Sequence, residues 1–217
     1  MGNGAGTQKS QSDVESSVRS GCLAVLPPDF DGPMLLSADV GGTSSRLHLF
    51  LPPGPNEKSS LLVPPERKIF ECKYKNNKFE SFSEIVGSFL KDCPVRKTPL
   101  LACFAVAGVV VENSATFVNL GWTIRGDQLQ QDHNIKRVVL INDFAAQGFG
   151  MLTLNPRKDC DILQDVPPKD GAPRAVLGAG TGLGECFLTT GSNADYEVWP
   201  TEGGHAEFAP RQDGSSK

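Results

Sequence analysis

Val138-Val139-Leu140-Ile141 is a short, β-branched apolar run that ends abruptly in Asn142-Asp143, with Phe144-Ala145-Ala146-Gln147 behind it. The run reads as a buried strand over Arg137 to Ile141, and the residues after it start a helix from Phe144 to about Leu154. A strand, a carboxylate and then a helix is the pattern of an α/β fold, where ligands bind beyond the carboxyl ends of inner strands. Asp143 at that place can take a proton from a substrate hydroxyl. An Asx turn or a helix cap is the commoner explanation of an isolated Asn-Asp pair. The motifs around this pair reverse the weighting.

At 217 residues the chain is long enough for one large domain or two small ones with a real core. Its 21 Lys and Arg are scattered and are outnumbered by 25 Asp and Glu, for a formal charge of −4. That balance gives no reason to expect nucleic-acid binding. Cys22, Cys72, Cys93, Cys103, Cys160 and Cys186 form no CxxC pair and have no metal-ligand spacing. Free thiols in a reducing compartment are expected, with Cys72 and Cys103 as small buried hydrophobes. No run is long and apolar enough to span a membrane. The amino terminus lacks the apolar core of a secretory signal. Met1-Gly2 invites a myristoylation reading, but position six is Gly6 and Thr7 comes one place late. The expected location is the cytoplasm, with organelle import through the amino-terminal extension left open.

Residues 1–33 are rich in Gly, Ser and Gln and read as a disordered extension, closed by Pro27-Pro28 and Gly32-Pro33. Order is expected from Met34. Leu35-Leu36 leads into Ala38-Asp39-Val40-Gly41-Gly42-Thr43, and Arg46 to Phe50 then alternates polar and apolar. Two strands therefore flank a Gly-Gly turn. After the Pro-rich stretch from Pro52 to Pro65, Lys68 to Tyr74 is a third strand. Ser81-Phe82-Ser83-Glu84 is a capping box ahead of a helix to about Asp92, with Phe82, Ile85, Val86, Phe89 and Leu90 on one face. Leu100 to Val111 reads as a central buried strand, followed by a turn at Glu112-Asn113-Ser114. Asp127 to His133 reads as a short helix. Asn155 to Pro173 is a polar connector, and Arg174 to Leu177 and Glu185 to Thr190 are strands around a second glycine-rich turn. The domain expectation is an extension at 1–33, a lobe at 34–154 and the start of a second lobe at 155–217.

Both glycine turns lie between strands. Glycine lets backbone approach a ligand closely, and successive N–H groups in such turns make an anion-binding concavity. Thr43 and Thr181 can add hydroxyl donors. Asp39 suits a hydrated Mg²⁺, which binds through one or two carboxylates plus phosphate oxygens. Neither turn is a Walker A loop or a GxGxxG fingerprint. Glu202-Gly203-Gly204-His205 places an acceptor and an imidazole three residues apart, a pairing suited to a hydroxyl-rich ligand such as a sugar. A structural zinc site needs about four ligands, and no Cys or further His lies nearby. An incidental His in a turn is the bland reading of that segment.

Asp39-Val40-Gly41-Gly42-Thr43, Asn119-Leu120-Gly121-Trp122, Asn142-Asp143-Phe144, Gly178-Ala179-Gly180-Thr181-Gly182-Leu183-Gly184 and Glu202-Gly203-Gly204-His205 occur in this order. In order and spacing they resemble the bacterial-type, zinc-free glucokinases, from about Leu35 to Pro210. Zinc-binding relatives in the ROK group carry cysteines where this chain has Ala206-Glu207-Phe208-Ala209-Pro210. The resemblance implies an α/β fold of the actin-like ATPase, ribonuclease H-like type: two α/β lobes around a cleft, the second lobe incomplete here. It implies phosphorylation of glucose at its 6-hydroxyl by ATP with Mg²⁺. Asp143 is then the base. Asn142, Glu202 and His205 hold the sugar, Asn119 lines the same pocket, and Asp143 touches the sugar as well. Asp39, Val40, Gly41, Gly42 and Thr43 form one ATP phosphate loop. Gly178, Gly180, Thr181, Gly182 and Gly184 form the other. No protein-only metal site is implied, and family members are often homodimers in the full-length form. They also continue well beyond Pro210, so a fragment, splice form or incomplete gene model is expected. An inactive sugar- or nucleotide-binding remnant is the alternative, and an actin-like ATPase or chaperone module is a third reading.

Overall fold

The computed structural model describes residues 30–52, 67–167, 169–180, 182–192 and 195–207. Most of the expected amino-terminal extension, the Pro-rich stretch, Thr181 and Pro210 lie outside the described residues. The chain divides into two compact units, the first ending at Asp143 and the second beginning at Phe144. The division falls ahead of the expected one at 154/155, because the helix after Asp143 packs with the strands carboxyl-terminal to it.

The first unit is built on a five-stranded sheet in the order β3-β2-β1-β4-β7. Its strands are β1 (Leu35–Val40), β2 (Ser44–Leu51), β3 (Arg67–Lys75), β4 (Leu101–Val106) and β7 (Arg137–Asn142). β1, β2 and β3 run antiparallel, while β1, β4 and β7 run parallel. A separate ribbon pairs β5 (Ser114–Phe117) with β6 (Trp122–Arg125). Helices α1 (Phe82–Asp92) and α2 (Gly126–His133) belong to the same unit. Ser81 caps α1 by accepting from the Glu84 N–H at 3.2 Å. Glu84 reaches back to the Glu80 N–H, so the box closes one residue earlier than the sequence pattern implies.

The core lies on one face of this sheet. Leu36, Val40, Leu47, Leu49, Ile69, Phe104 and Val106 turn inward, and α1 covers them with Phe82, Ile85, Val86 and Phe89. Phe82 meets Phe104 edge to face, with ring centroids 5.1 Å apart. Phe30 packs on this core as well, and Asp31 pairs with Lys97 at 2.6 Å. Order therefore reaches back at least to Phe30, ahead of the expected Met34.

Two expectations for the apolar run at 100–111 are corrected. The strand stops at Val106, and Val109 and Val111 are exposed. Gly108 has φ +148°, which breaks the ladder there. Cys103 lies on the opposite face of β4 from Ala102 and Phe104 and is exposed, so it is no core residue. Cys72 is buried as expected. Among the described residues, Cys72, Cys93, Cys103, Cys160 and Cys186 are free thiols.

The second unit holds most of α3 (Asp143–Met151), the short α4 (Pro156–Asp159) and a three-stranded antiparallel sheet in the order β10-β9-β8. Its strands are β8 (Arg174–Ala179), β9 (Leu183–Thr190) and β10 (Tyr196–Thr201). Trp199-Pro200-Thr201, read from sequence only as the lead into the Glu-Gly-Gly-His segment, is the end of a strand. α3 seats on this sheet through Gly148, where a Cβ would lie 2.7 Å from Val198 and 2.9 Å from the Cys186 sulfur. No helix among the described residues is long and apolar enough to cross a membrane.

Candidate active site

In the first unit, strand register gathers the candidate residues. Val40 pairs with Val106, and Val106 pairs with Asn142. The carboxyl ends of β1 and β7 thus lie level, with β4 between them. The Gly41–Thr43 turn and the Asn142-Asp143 pair leave the sheet at the same end, about 10 Å apart at two strand spacings. That is the end where α/β sheets take their ligands. Asp143 opens α3, and both it and Asn142 are half-buried. Asn142 donates through Nδ2 to the Gly108 carbonyl at 3.0 Å.

The first glycine turn has supports on two sides. Gly41 donates its N–H to the Ser44 carbonyl at 3.1 Å. Asn119, in the turn between β5 and β6, brings its Nδ2 to 3.4 Å from the Gly42 carbonyl. Asn119 is thereby placed beside the glycine turn. Thr43 and Asp39 are exposed, and Val40 is buried in the sheet. Val40 is committed to the sheet, its carbonyl accepting from the Ala107 N–H at 3.0 Å, whereas Asp39 and Thr43 can offer side chains. On the other side of the turn lie Ser45 and Asn76, both fully buried, which the sequence reading missed. The signal for Asn76 was weak: one Asn of a polar pair at a strand end.

β7 is an edge strand of the sheet, and two further side chains occupy its outer edge. Asn113 accepts from the Leu140 N–H at 2.7 Å and donates to the Val138 carbonyl at 2.9 Å. Gln130 accepts from the Val138 N–H at 2.9 Å. The Asn113 amide stands in for the peptide of a missing neighbour strand, a way of blunting a sheet edge. Asn113 sits in a turn where both it and Glu112 have positive φ, 57° and 48°. Asn113 and Gln130, with Gly126 packed on the Asn113 amide, hold the strand that ends at Asn142.

In the second unit, the hairpin of β8 and β9 carries the other glycine turn. Gly178 pairs with Gly184, and Gly180 donates its N–H to the Gly182 carbonyl at 2.8 Å. Phe144 packs against this hairpin: a Cβ on Gly184 would come within 1.8 Å of its ring, and one on Gly178 within 2.6 Å. These two glycines make room for an aromatic ring, whereas Gly180 and Gly182 at the tip are exposed. After β10, a single 3-10 turn over Gly203–His205 brings His205 Nδ1 to 3.2 Å from Glu202 Oε2. Both side chains are exposed, and a Cβ on Gly204 would overlap the Leu183 carbonyl at 1.8 Å. The Glu202–His205 pair is thus anchored beside the start of β9, where the second glycine turn ends.

Among the described residues, no three His, Cys, Asp or Glu side chains cluster as a metal site. A cation bound mainly by phosphate oxygens needs only one or two protein carboxylates. Asp39, exposed near the end of β1 and two residues ahead of Gly41, fits that demand.

A family model described as Glucokinase matches residues 36–217. The chain belongs to the glucokinase family. Curated glucokinases agree: one from Nostoc sp. is 41% identical over 180 residues, covering 83% of this chain and 50% of the relative. One from Helicobacter pylori is 33% identical over 190 residues, covering 87% and 52%. The chain spans about half the length of the curated relatives it matches. Among solved structures, a glucokinase from an Antarctic psychrotroph superposes with a TM-score of 0.68 at 26% identity, over 83% of this chain and 53% of that one. A glucokinase from Balamuthia mandrillaris, solved in complex with glucose, superposes with 0.62 at 21% identity, over 82% and 50%, which supports the fold. The fold is the expected α/β, actin-like type.

Proposed function

We propose that the protein transfers the γ-phosphoryl group of ATP to the 6-hydroxyl of glucose. The observation that carries this reading is the register Val40–Val106–Asn142, which sets a glycine turn and a carboxylate at one end of the parallel strands of the sheet. Phosphoryl transfer needs little covalent help from a protein; positioning and charge stabilisation do most of the work. Asp143 accepts the proton of the 6-hydroxyl as its oxygen attacks phosphorus, and ADP leaves. Asn142, Glu202, His205 and Asn119 hold the remaining hydroxyls, the first with its amide oriented by the Gly108 carbonyl. The backbone N–H groups of the Asp39–Thr43 and Gly178–Gly184 turns that the hairpins leave free face phosphate oxygens, aided by the Thr43 hydroxyl, while the Gly41 and Gly180 N–H groups close the turns on Ser44 and Gly182. Thr181 shares that role in this reading and lies outside the described residues. Mg²⁺ would arrive with the nucleotide, neutralise phosphate charge and be held from the protein side by Asp39. The reading extends to a cytoplasmic location and a homodimer, both typical of the family.

The test is hexose 6-phosphate formation by the natural full-length polypeptide, followed with a coupled dehydrogenase. Asp143→Asn should lower kcat by about 10²–10⁴-fold while calorimetric glucose binding persists. Unchanged kcat removes Asp143 from the mechanism. Binding of glucose or Mg-ATP without turnover would favour a ligand-binding member of the same family.

A further inference from the structure

Ser45 and Asn76 are the buried polar residues of the described core, each 0% exposed. Taking an amide and a hydroxyl out of water is costly unless their hydrogen bonds are made. Here they are made to each other and to the first glycine turn. Ser45 Oγ donates to Asn76 Oδ1 at 2.8 Å. Asn76 Nδ2 donates to the Gly41 carbonyl at 2.7 Å. The Asn76 backbone N–H donates to the Thr43 carbonyl at 3.0 Å. One residue thus holds a carbonyl at each end of the turn.

The register explains why it can. Ser44 pairs with Lys75, so the residue after β3 arrives opposite Thr43. The chain then makes a 3-10 turn over Asn76–Lys78, closed by the Phe79 N–H on the Asn76 carbonyl at 3.1 Å. Peptide planarity carries the effect to the outer side. In a trans peptide the carbonyl and the next N–H point in opposite directions. Drawing the Gly41 carbonyl toward Asn76 therefore turns the Gly42 N–H away from it, and the bond from the Asn76 N–H to the Thr43 carbonyl fixes the peptide plane at the other end of the turn. A backbone N–H held outward at the tip of a glycine turn is the kind of donor from which an anion-binding concavity is built.

We infer that Asn76, braced by Ser45, is a nucleotide-positioning residue: it sets the N–H directions of the Gly41–Thr43 turn toward phosphate without touching the ligand. The inference rests on the proposed reading of that turn as a phosphate loop. Asn76→Asp keeps the acceptor for Ser45 and removes the donor to Gly41. Ser45→Ala is milder, loosening the brace and leaving both turn bonds in place.

The test is a split between the two substrates of the natural full-length polypeptide, each variant checked for native near-UV circular dichroism. Asn76→Asp should raise KM for Mg-ATP by about tenfold or more, the size expected for one broken buried hydrogen bond, and leave KM for glucose within about twofold. Ser45→Ala should move KM for Mg-ATP in the same direction by a smaller factor. Equal shifts in both KM values, or no shift in a folded variant, overturn the inference and leave the proposed function standing. If Asn76→Asp does not fold, Ser45→Ala decides by the same criterion. A wild-type protein that neither binds Mg-ATP nor makes hexose 6-phosphate overturns the function and this positioning role with it.

Discussion

Asn142 and Gly108 meet at the ends of the neighbouring parallel strands β7 and β4, joined by a bond of 3.0 Å from the Asn142 amide to the Gly108 carbonyl. Gly108 has φ +148°, and a Cβ built on it would meet nothing within 4 Å. Steric room is therefore available while the backbone conformation is not, since side-chain-bearing residues rarely adopt that angle. Gly108→Ala should cost about 1–3 kcal/mol, the range for a residue held in a sparsely populated region. If the turn relaxes to relieve the strain, the carbonyl leaves Asn142, and on the proposed reading of Asn142 as a sugar ligand, glucose affinity falls too. Chemical denaturation and glucose calorimetry on the same variant check both parts.

The edge of β7 offers a second prediction. Asn113→Ala deletes two bonds to the strand, to Leu140 and Val138, and leaves those peptide groups without their partner. The cost should be about 1–3 kcal/mol for each group that water does not reach. Hydrogen exchange should accelerate at the Leu140 amide and much less at Leu47 in the sheet interior. A Cβ on Gly126 would lie 2.0 Å from the Asn113 amide nitrogen, so Gly126→Ala should accelerate exchange at the same place.

In the second unit, Gly184→Ala sets a methyl 1.8 Å from the Phe144 ring. The variant should destabilise that unit by about 1–3 kcal/mol, the usual cost of overpacking. Adding Phe144→Leu should restore part of the loss, because the removed ring edge is what the methyl meets. A double-mutant cycle in urea measures the coupling, and strictly additive effects would exclude the contact.

Acid should weaken the first unit through histidine. Burial holds His133 below its ordinary value of 6.5 against the opposing pull of Asp132, and burial does the same to His48 against Glu71. With the folded value lower than the unfolded one, the unfolded chain binds protons first as pH falls below about 6.5. Stability should therefore be level above that point, decline as pH drops through the folded values, and then stop declining on their account. Melting temperatures from pH 8 to pH 5 read this directly. His133→Gln should flatten part of the slope, and an unchanged slope would show that His133 titrates normally.

Sequence reasoning reached far where structure is local. The α1 face of Phe82, Ile85, Val86 and Phe89 follows from a period of 3.6 residues, and the Ser81 cap from its own four-residue pattern. Both glycine-bearing hairpins follow from turn residues between alternating strands. The strand ending in Asn142-Asp143 was readable for the same reason. Pattern misled in the run at 100–111. Hydrophobicity there continued past the point where Gly108 turns the backbone, and the exposed face of β4 took Cys103 with it.

The order of glycine turns, carboxylate and Glu–His segment is written in the chain, and it is enough to name the family. What holds those groups was decided by folding. Ser45 and Asn76 are 31 residues apart, and Asn113 lies 27 residues from Leu140. No local rule joins such pairs, because a polar side chain's partner depends on which strands become neighbours and in what register. The level ends of β1 and β7 exist only once β4 has entered between them. Residue types were set by the chemistry a site needs, and positions by the burial that forced each buried polar atom to find a partner.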